Sequence, residues 1–280
     1  MRLVLFTRGG TAPTPGLLIT GGVIPLTDHG LSPQVEMVSL IDQFEDLRSE
    51  LEQRAARTDE AISLAEVQLL PPLPRPGKIL CSTAVFDAAV GERPQLLFTL
   101  KSAESVIGPD QTVRLPDVGD AWQFQPEAEL GLVIRGPARN VSAADWQRAV
   151  FGYTCVIDVM ASGDTQFGRD FWLAKSDTLG PLGPCIVTAD EIAVPPAIRV
   201  TSFVNGQAAQ DYRIGDADYS PAEQVELATT IMTLETGDVL ACGTSRAGLT
   251  AIRDGDQVQV DIAGVGRLQV HVAALSGVRG

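Results

Sequence analysis

At 280 residues, with 45% hydrophobic and 20% charged side chains, the chain is long enough for a well-buried core and has an ordinary globular composition. A net charge of -14 argues against nucleic acid or an anionic membrane surface as partner, because both need clustered Lys and Arg. With only two histidines, His29 and His271, a zinc site has almost nothing to work with. The four cysteines, Cys81, Cys155, Cys185 and Cys242, are far apart without Cys-x-x-Cys spacing and read as buried free thiols.

The first 28 residues read as short strands and turns. The uncharged stretch "GGTAPTPGLLITGGVIPLT" holds too much Gly and Pro for a spanning helix, and no basic segment precedes a compact apolar one. No membrane contact is expected, and a cytoplasmic location is the default. Residues 34–57 carry apolar positions at Met37, Ile41, Phe44, Leu47, Leu51 and Ala55, which is helical spacing with a charged reverse face. Four prolines within residues 71–76 then mark a boundary. A small α/β domain over 1–70 and a main domain over 71–280 are expected.

The main domain reads mostly as strands, in "KILCST", "QLLFTL", "AELGLVIR", "GYTCVIDVM", "GPCIVT", "IRVTSFVNG", "DVLACGT", "QVQVDIAG" and "RLQVHVA". Two helices interrupt them. Ser142 and Asp145 suggest a capping box before "AADWQRAV"; Ser220, Pro221 and Glu223 supply N-cap, N1 and N3 for "PAEQVELATTIMTLE". Many short strands with few helices predict a mainly β fold with some α, barrel- or sandwich-like.

Three carboxylates stand out. In "FQPEAELGLVIR", strand alternation places Glu127, Glu129, Gly131 and Val133 on one face. That face is either wet or a pair of carboxylates aimed at a cation. Asp158 lies in the apolar run "VIDVM", where an ionised carboxylate needs a partner, either turn amides or a cation. Together the three offer hard oxygen ligands suited to Mg²⁺, or to Mn²⁺ or Ca²⁺, with coordination positions left open. Lys175 could neutralise such a site or hold an anionic oxygen, or could cover apolar surface with its stem. Thr244, at the end of "TLETGDVLACGT", could donate its hydroxyl or backbone N–H to a substrate carboxylate, or simply build the turn.

Read in order, "LCSTAVFDAAVGE", "LLFTLKSAESVIGP", "EAELGLVI", "GYTCVIDV", "KSDTLGPLGP", "VNG" and "TLETGDVLACGT" resemble the fumarylacetoacetate hydrolase family over roughly residues 78–275. The resemblance implies a β-roll catalytic domain, usually homodimeric, holding Mg²⁺ through Glu127, Glu129 and Asp158. It implies a small-molecule 2-oxo acid or 1,3-dicarbonyl substrate, acylpyruvate-like, cleaved by C–C hydrolysis through a metal-stabilised enolate. A non-hydrolytic decarboxylase, tautomerase or isomerase is the alternative, and a degenerate binding subunit a third. By the same resemblance Lys175 contacts the oxyanion, Gln166 and Lys101 bind substrate, and Thr244 holds a substrate oxygen.

The chain departs from the family at several points. Hydrolytic relatives carry a His-x-x-Glu pair; here "AVGE" puts Ala89 in the histidine position and keeps Glu92, which could then activate water alone. "VMASGDTQ" lacks the family's arginine, and "GTSRAG" replaces a proline by Ser245 and adds Arg246, a candidate anion anchor.

Overall fold

A computed structural model describes residues 1–26, 37–84, 93–119, 122–163, 175–193 and 195–275. The readings made for His29, Ala89, Glu92 and Gln166 fall outside these residues. The chain opens with β1 (Arg2–Thr7), β2 (Thr14–Ile19) and β3 (Gly22–Pro25), then α1 (Met37–Asp42) and α2 (Phe44–Ala55). Next come β4 (Gln68–Leu70), β5 (Ile79–Ser82), β6 (Phe98–Lys101), β7 (Thr112–Leu115), β8 (Gln123–Ile134), β9 (Val150–Ser162) and β10 (Leu182–Thr188). The last part holds β11 (Arg199–Val204), β12 (Gln207–Arg213), α3 (Pro221–Ile231), β13 (Val239–Ala241), β14 (Gln257–Ile262) and β15 (Gly266–Ala274).

The fold is mostly β, as its strand-rich sequence predicts. A ten-stranded sheet runs β3-β2-β1-β10-β9-β8-β13-β5-β6, with β4 added beside β1; a five-stranded sheet runs β12-β11-β14-β15-β7. Among the described residues neither sheet closes into a barrel. Residues before the proline-rich stretch extend the same large sheet, since Arg2 and Leu3 pair with Val187 and Ile186.

Burial explains the layering. Leu130, Leu132, Cys155 and Ile157 share one core with Val258, Val260, Leu268 and Val270 of the second sheet. On the other face, Leu3, Leu40, Ile41, Phe44 and Phe151 form a core beneath the two helices. Phe44 meets Phe151 edge-to-face, with ring centroids 5.0 Å apart. All four cysteines are buried free thiols, and no described helix is long and apolar enough to cross a membrane.

The helix expected over 34–57 is two helices within the described residues. It breaks at Gln43, whose φ of -93° and ψ of 4° leave the helical region. Ser220 and Glu223 cap α3 reciprocally, as expected. The capping box at Ser142 does not form. Its hydroxyl donates to the Asp145 carboxylate at 2.8 Å instead of accepting a backbone N–H, and residues Ala143–Ala149 tighten into a 3₁₀ helix. Strands β7 and β12 lie where no strand is expected from sequence.

The Phe44–Phe151 contact seats the helical layer on the sheet. Phe44→Ala is expected to cost about 3–5 kcal/mol, measured as a fall in unfolding free energy in urea with an unchanged m-value.

Candidate metal and substrate site

Strands β8 and β9 form a long antiparallel ladder that pairs Glu127 with Asp158 and Glu129 with Val156. Two carboxylates directly opposed across a ladder repel each other, so this register is unfavourable without a cation. One oxygen from each of Glu127, Glu129 and Asp158 lies within 4.8 Å of the others. The face is not wet. Glu129 and Asp158 are buried, Glu127 is half-buried, and Gly131 and Val133 continue the same face into the interior.

Lys101, at the end of β6, partly balances this charge. Its Nζ lies 2.6 Å from Asp158 Oδ1 and donates to the carbonyls of Leu179 at 3.0 Å and Val159 at 3.2 Å. Both partners of the pair are almost wholly enclosed. The lysine expected to bind substrate therefore stands inside the carboxylate cluster, with its protons directed at protein oxygens. An ion pair so deep in the protein stabilises little by itself, but removal of either member leaves a costly unpaired charge.

Glu129 is held from the opposite side. The N–H of Gly243 donates to its Oε2 at 2.7 Å, whereas Oε1 has no hydrogen-bond partner among the described residues. Gly243 has φ 82°, and a Cβ there would lie 2.3 Å from the Ala84 carbonyl oxygen. Only glycine lets this turn bring its N–H to the carboxylate.

Burial, and then the charge of Asp158, push the Glu127 carboxyl up to about 8, against the opposing pull of Lys101 and Arg246. Burial likewise raises Glu129 well above the usual carboxylate range. The donor chemistry fits a divalent cation: three hard carboxylates, one of them with a buried oxygen that has no hydrogen-bond partner among the described residues, and Lys101 in contact with Asp158. Glu127, Glu129 and Asp158 would hold it.

A cavity of about 190 Å³ opens over the cluster, bordered by Cys81, Glu127, Asp158, Thr244 and Arg246. Lys175 is half-buried close by; burial lowers its proton affinity, as does the neighbouring Lys101, while Asp158 opposes that shift. Thr244 borders the cavity, but its hydroxyl proton is directed at the Ala128 carbonyl at 3.0 Å. The hydroxyl read from sequence as a donor to substrate is thus already engaged within the protein.

Two polar residues that contact this framework are absent from the sequence reading. Gln210 and Tyr212, on β12, both reach the backbone of Ala128, between the two glutamates. A signal for them existed. Asn205-Gly206, with φ values of 52° and 74°, is a hairpin turn, and alternation from Gln207 then puts Gln210 and Tyr212 on one buried face.

A mostly β fold with an acidic cluster at the edge of a cavity is an arrangement that could hold a metal ion beside a small-molecule substrate. Residues 82–273 match the family described as fumarylacetoacetate (FAA) hydrolase C-terminal, and the chain belongs to the fumarylacetoacetate hydrolase family of enzymes. An oxaloacetate tautomerase of Bacillus subtilis is 33% identical over 227 residues, covering 75% of this chain and 74% of that protein. A mitochondrial oxaloacetate tautomerase of Bos taurus is 29% identical over 263 residues, covering 88% and 82%. The structure of maleylpyruvate hydrolase from Sphingobium sp. SYK-6, in complex with manganese (II) ion and pyruvate, superposes with a TM-score of 0.86 at 31% identity, covering 99% of this chain and 100% of that one.

The raised Glu127 carboxyl sets a pH dependence. Between its ordinary value of 4.5 and about 8, the native metal-free protein keeps a proton that the unfolded chain has released. Native stability from this group therefore falls as pH rises through that window. A cation that displaces the proton binds more tightly as pH rises. The increase in melting temperature produced by Mn²⁺ is expected to be larger at pH 8 than at pH 6, measured by differential scanning fluorimetry. Lys101→Met is expected to cost about 3–5 kcal/mol by leaving Asp158 unpaired, measured by urea unfolding of the metal-free protein.

Proposed function

We propose that the chain is a divalent-metal-dependent enzyme that interconverts the keto and enol forms of a 2-oxo acid bearing a second carboxylate. The observation that carries this reading is the cluster of Glu127, Glu129 and Asp158 beside a cavity with Arg246 at its edge. Lys101, Lys175 and Arg246 together offset the three carboxylates, so a bound dication leaves the site net positive and suited to an anionic substrate. A divalent cation, Mg²⁺ or Mn²⁺, would supply Lewis-acid stabilisation of enolate charge when bound.

The chain's own residues have separate tasks in this assignment. Arg246, exposed at the rim, anchors the remote carboxylate with its guanidinium fork. Lys175 faces the negative charge that develops on the 2-oxo oxygen. Thr244 closes the wall of the cavity. Glu92 moves the proton and Gln166 orients the substrate, roles that rest on the family resemblance alone.

Tautomerisation is supported by the similarity to oxaloacetate tautomerases and by Ala89, which stands where hydrolytic relatives use a histidine. Losing a general base near neutral pH typically costs ~10²–10⁴-fold in a step that must activate water. C–C hydrolysis is the second reading. It is favoured by the retained Glu92 and by the likeness to maleylpyruvate hydrolase. We also propose a cytoplasmic homodimer, for which light scattering should give twice the chain mass.

The deciding experiment is turnover of enol-oxaloacetate, maleylpyruvate and other acylpyruvates with Mg²⁺ or Mn²⁺, with products identified by mass. Loss of enol absorbance without change of mass supports the tautomerase; fragments that have gained water replace it with the hydrolase. Intact Mn²⁺ binding with no turnover of any substrate would point to a binding subunit. Glu127→Gln is expected to lower kcat at least about 100-fold by weakening the metal site. Arg246→Ala should raise KM about tenfold with a smaller change in kcat, as loss of one charge-assisted contact requires.

A further inference from the structure

The part of β8 up to Glu129 carries both glutamates yet, among the described residues, has no neighbouring strand on one side. Strand β13 pairs with it only over Gly131–Val133, and the Cys242 N–H reaches Leu130. At the other end the Phe124 carbonyl accepts from the Ile252 N–H. Pro126, which has no N–H to satisfy, lies between. That leaves Ala128, whose backbone groups are buried and must find partners elsewhere.

Side chains supply them. The Ala128 N–H donates to Gln210 Oε1 at 3.1 Å, and its carbonyl accepts from the hydroxyls of Thr244 and Tyr212. Gln210 Oε1 also accepts from the Ser202 hydroxyl at 3.3 Å. The Nε2 of the same amide donates to Thr244 Oγ1 at 2.7 Å and to the Ser245 carbonyl at 2.6 Å. The amide can face only one way, because Ala128 presents a donor and Ser245 an acceptor. Its four hydrogen-bonding capacities are all used, in a buried setting.

We propose that Gln210 is a positioning residue that sets residues 243–246 against the strand carrying the metal ligands. Through Nε2 it fixes Thr244 and Ser245, and through them the backbone that presents Arg246. Through Oε1 it ties that turn to the peptide between Glu127 and Glu129. Thr244, at the cavity wall, accepts from Gln210 and donates to Ala128, so the substrate-facing turn is tied to both layers through this one hydroxyl. This inference rests on the functional reading above and adds to it a residue that holds the substrate-facing turn in place.

Binding measurements separate the two readings. Mn²⁺ affinity of the metal-free protein and oxalate affinity of the Mn²⁺-loaded protein are measured calorimetrically, oxalate serving as a planar dianionic stand-in for the enolised 2-oxo acid. Gln210→Glu keeps the acceptor for Ala128 but removes the two-donor amide; Gln210→Met removes both. Oxalate affinity is expected to fall about tenfold or more in each variant, with Mn²⁺ affinity changed about threefold at most. Thr244→Val should reproduce the loss, and the double variant with Gln210→Glu should be no worse than either single one, because both residues act through one contact. Equal losses of Mn²⁺ and oxalate affinity would reduce Gln210 to structural support and overturn the proposal, as would additive effects or unchanged oxalate binding. A wild-type protein that takes Mn²⁺ but no oxalate would sink the functional reading first, and this extension with it. If Gln210→Met fails to fold, the near-isosteric Gln210→Glu and the Thr244→Val variant carry the same comparison.

Discussion

Three carboxylates brought together in a largely dry place are the constraint around which this molecule is built. Each is far less costly in water than where it sits, and the register of β8 on β9 sets two of them face to face. The protein offsets part of that cost with Lys101, whose ammonium is enclosed with Asp158, and part with the Gly243 N–H at Glu129. On the proposed function, a bound cation would offset the remainder and favour the ionised carboxylates.

The surrounding architecture follows from this need. A lysine on β6 meets an aspartate on β9 although β5, β13 and β8 lie between them in the sheet order, so the sheet must curl until β6 faces β9. The turn after β13 must approach Glu129 closely, which requires glycine at position 243. The second sheet has to stand near enough for Gln210 and Tyr212 to meet the Ala128 backbone. The cores on both faces of the large sheet keep these distances, so the apolar packing acts on the chemistry indirectly, by holding polar groups in register.

Much of this is legible in the sequence because it is local. Alternation alone places Glu127 and Glu129 on one face, and the apolar run around Asp158 announces a carboxylate in need of a partner. The Ser-Pro-x-Glu start of α3 is equally local and is realised in full. What stays hidden is set by contacts far apart in the chain. Nothing near Lys101 indicates that its partner is Asp158, and nothing in residues 1–7 indicates pairing with β10. Strand β12 escapes notice because "QAAQDYR" is short and polar, with alanines where a strand usually shows branched side chains. At Ser142 the local signal misleads, since a nearby carboxylate competes for the hydroxyl that would have capped a helix.

The open edge of β8 has one more consequence. Strands usually borrow rigidity from neighbours in their own sheet, but the peptide between the two glutamates borrows it from the opposite layer. Sliding of one layer over the other pulls directly on this peptide, whose backbone ladder among the described residues lies only on the β9 side. Substitutions deep in the interlayer core, remote from the cavity, therefore belong to the catalytic phenotype as much as to the folding phenotype. Selection for a softer or stiffer interior acts on the active centre at the same time.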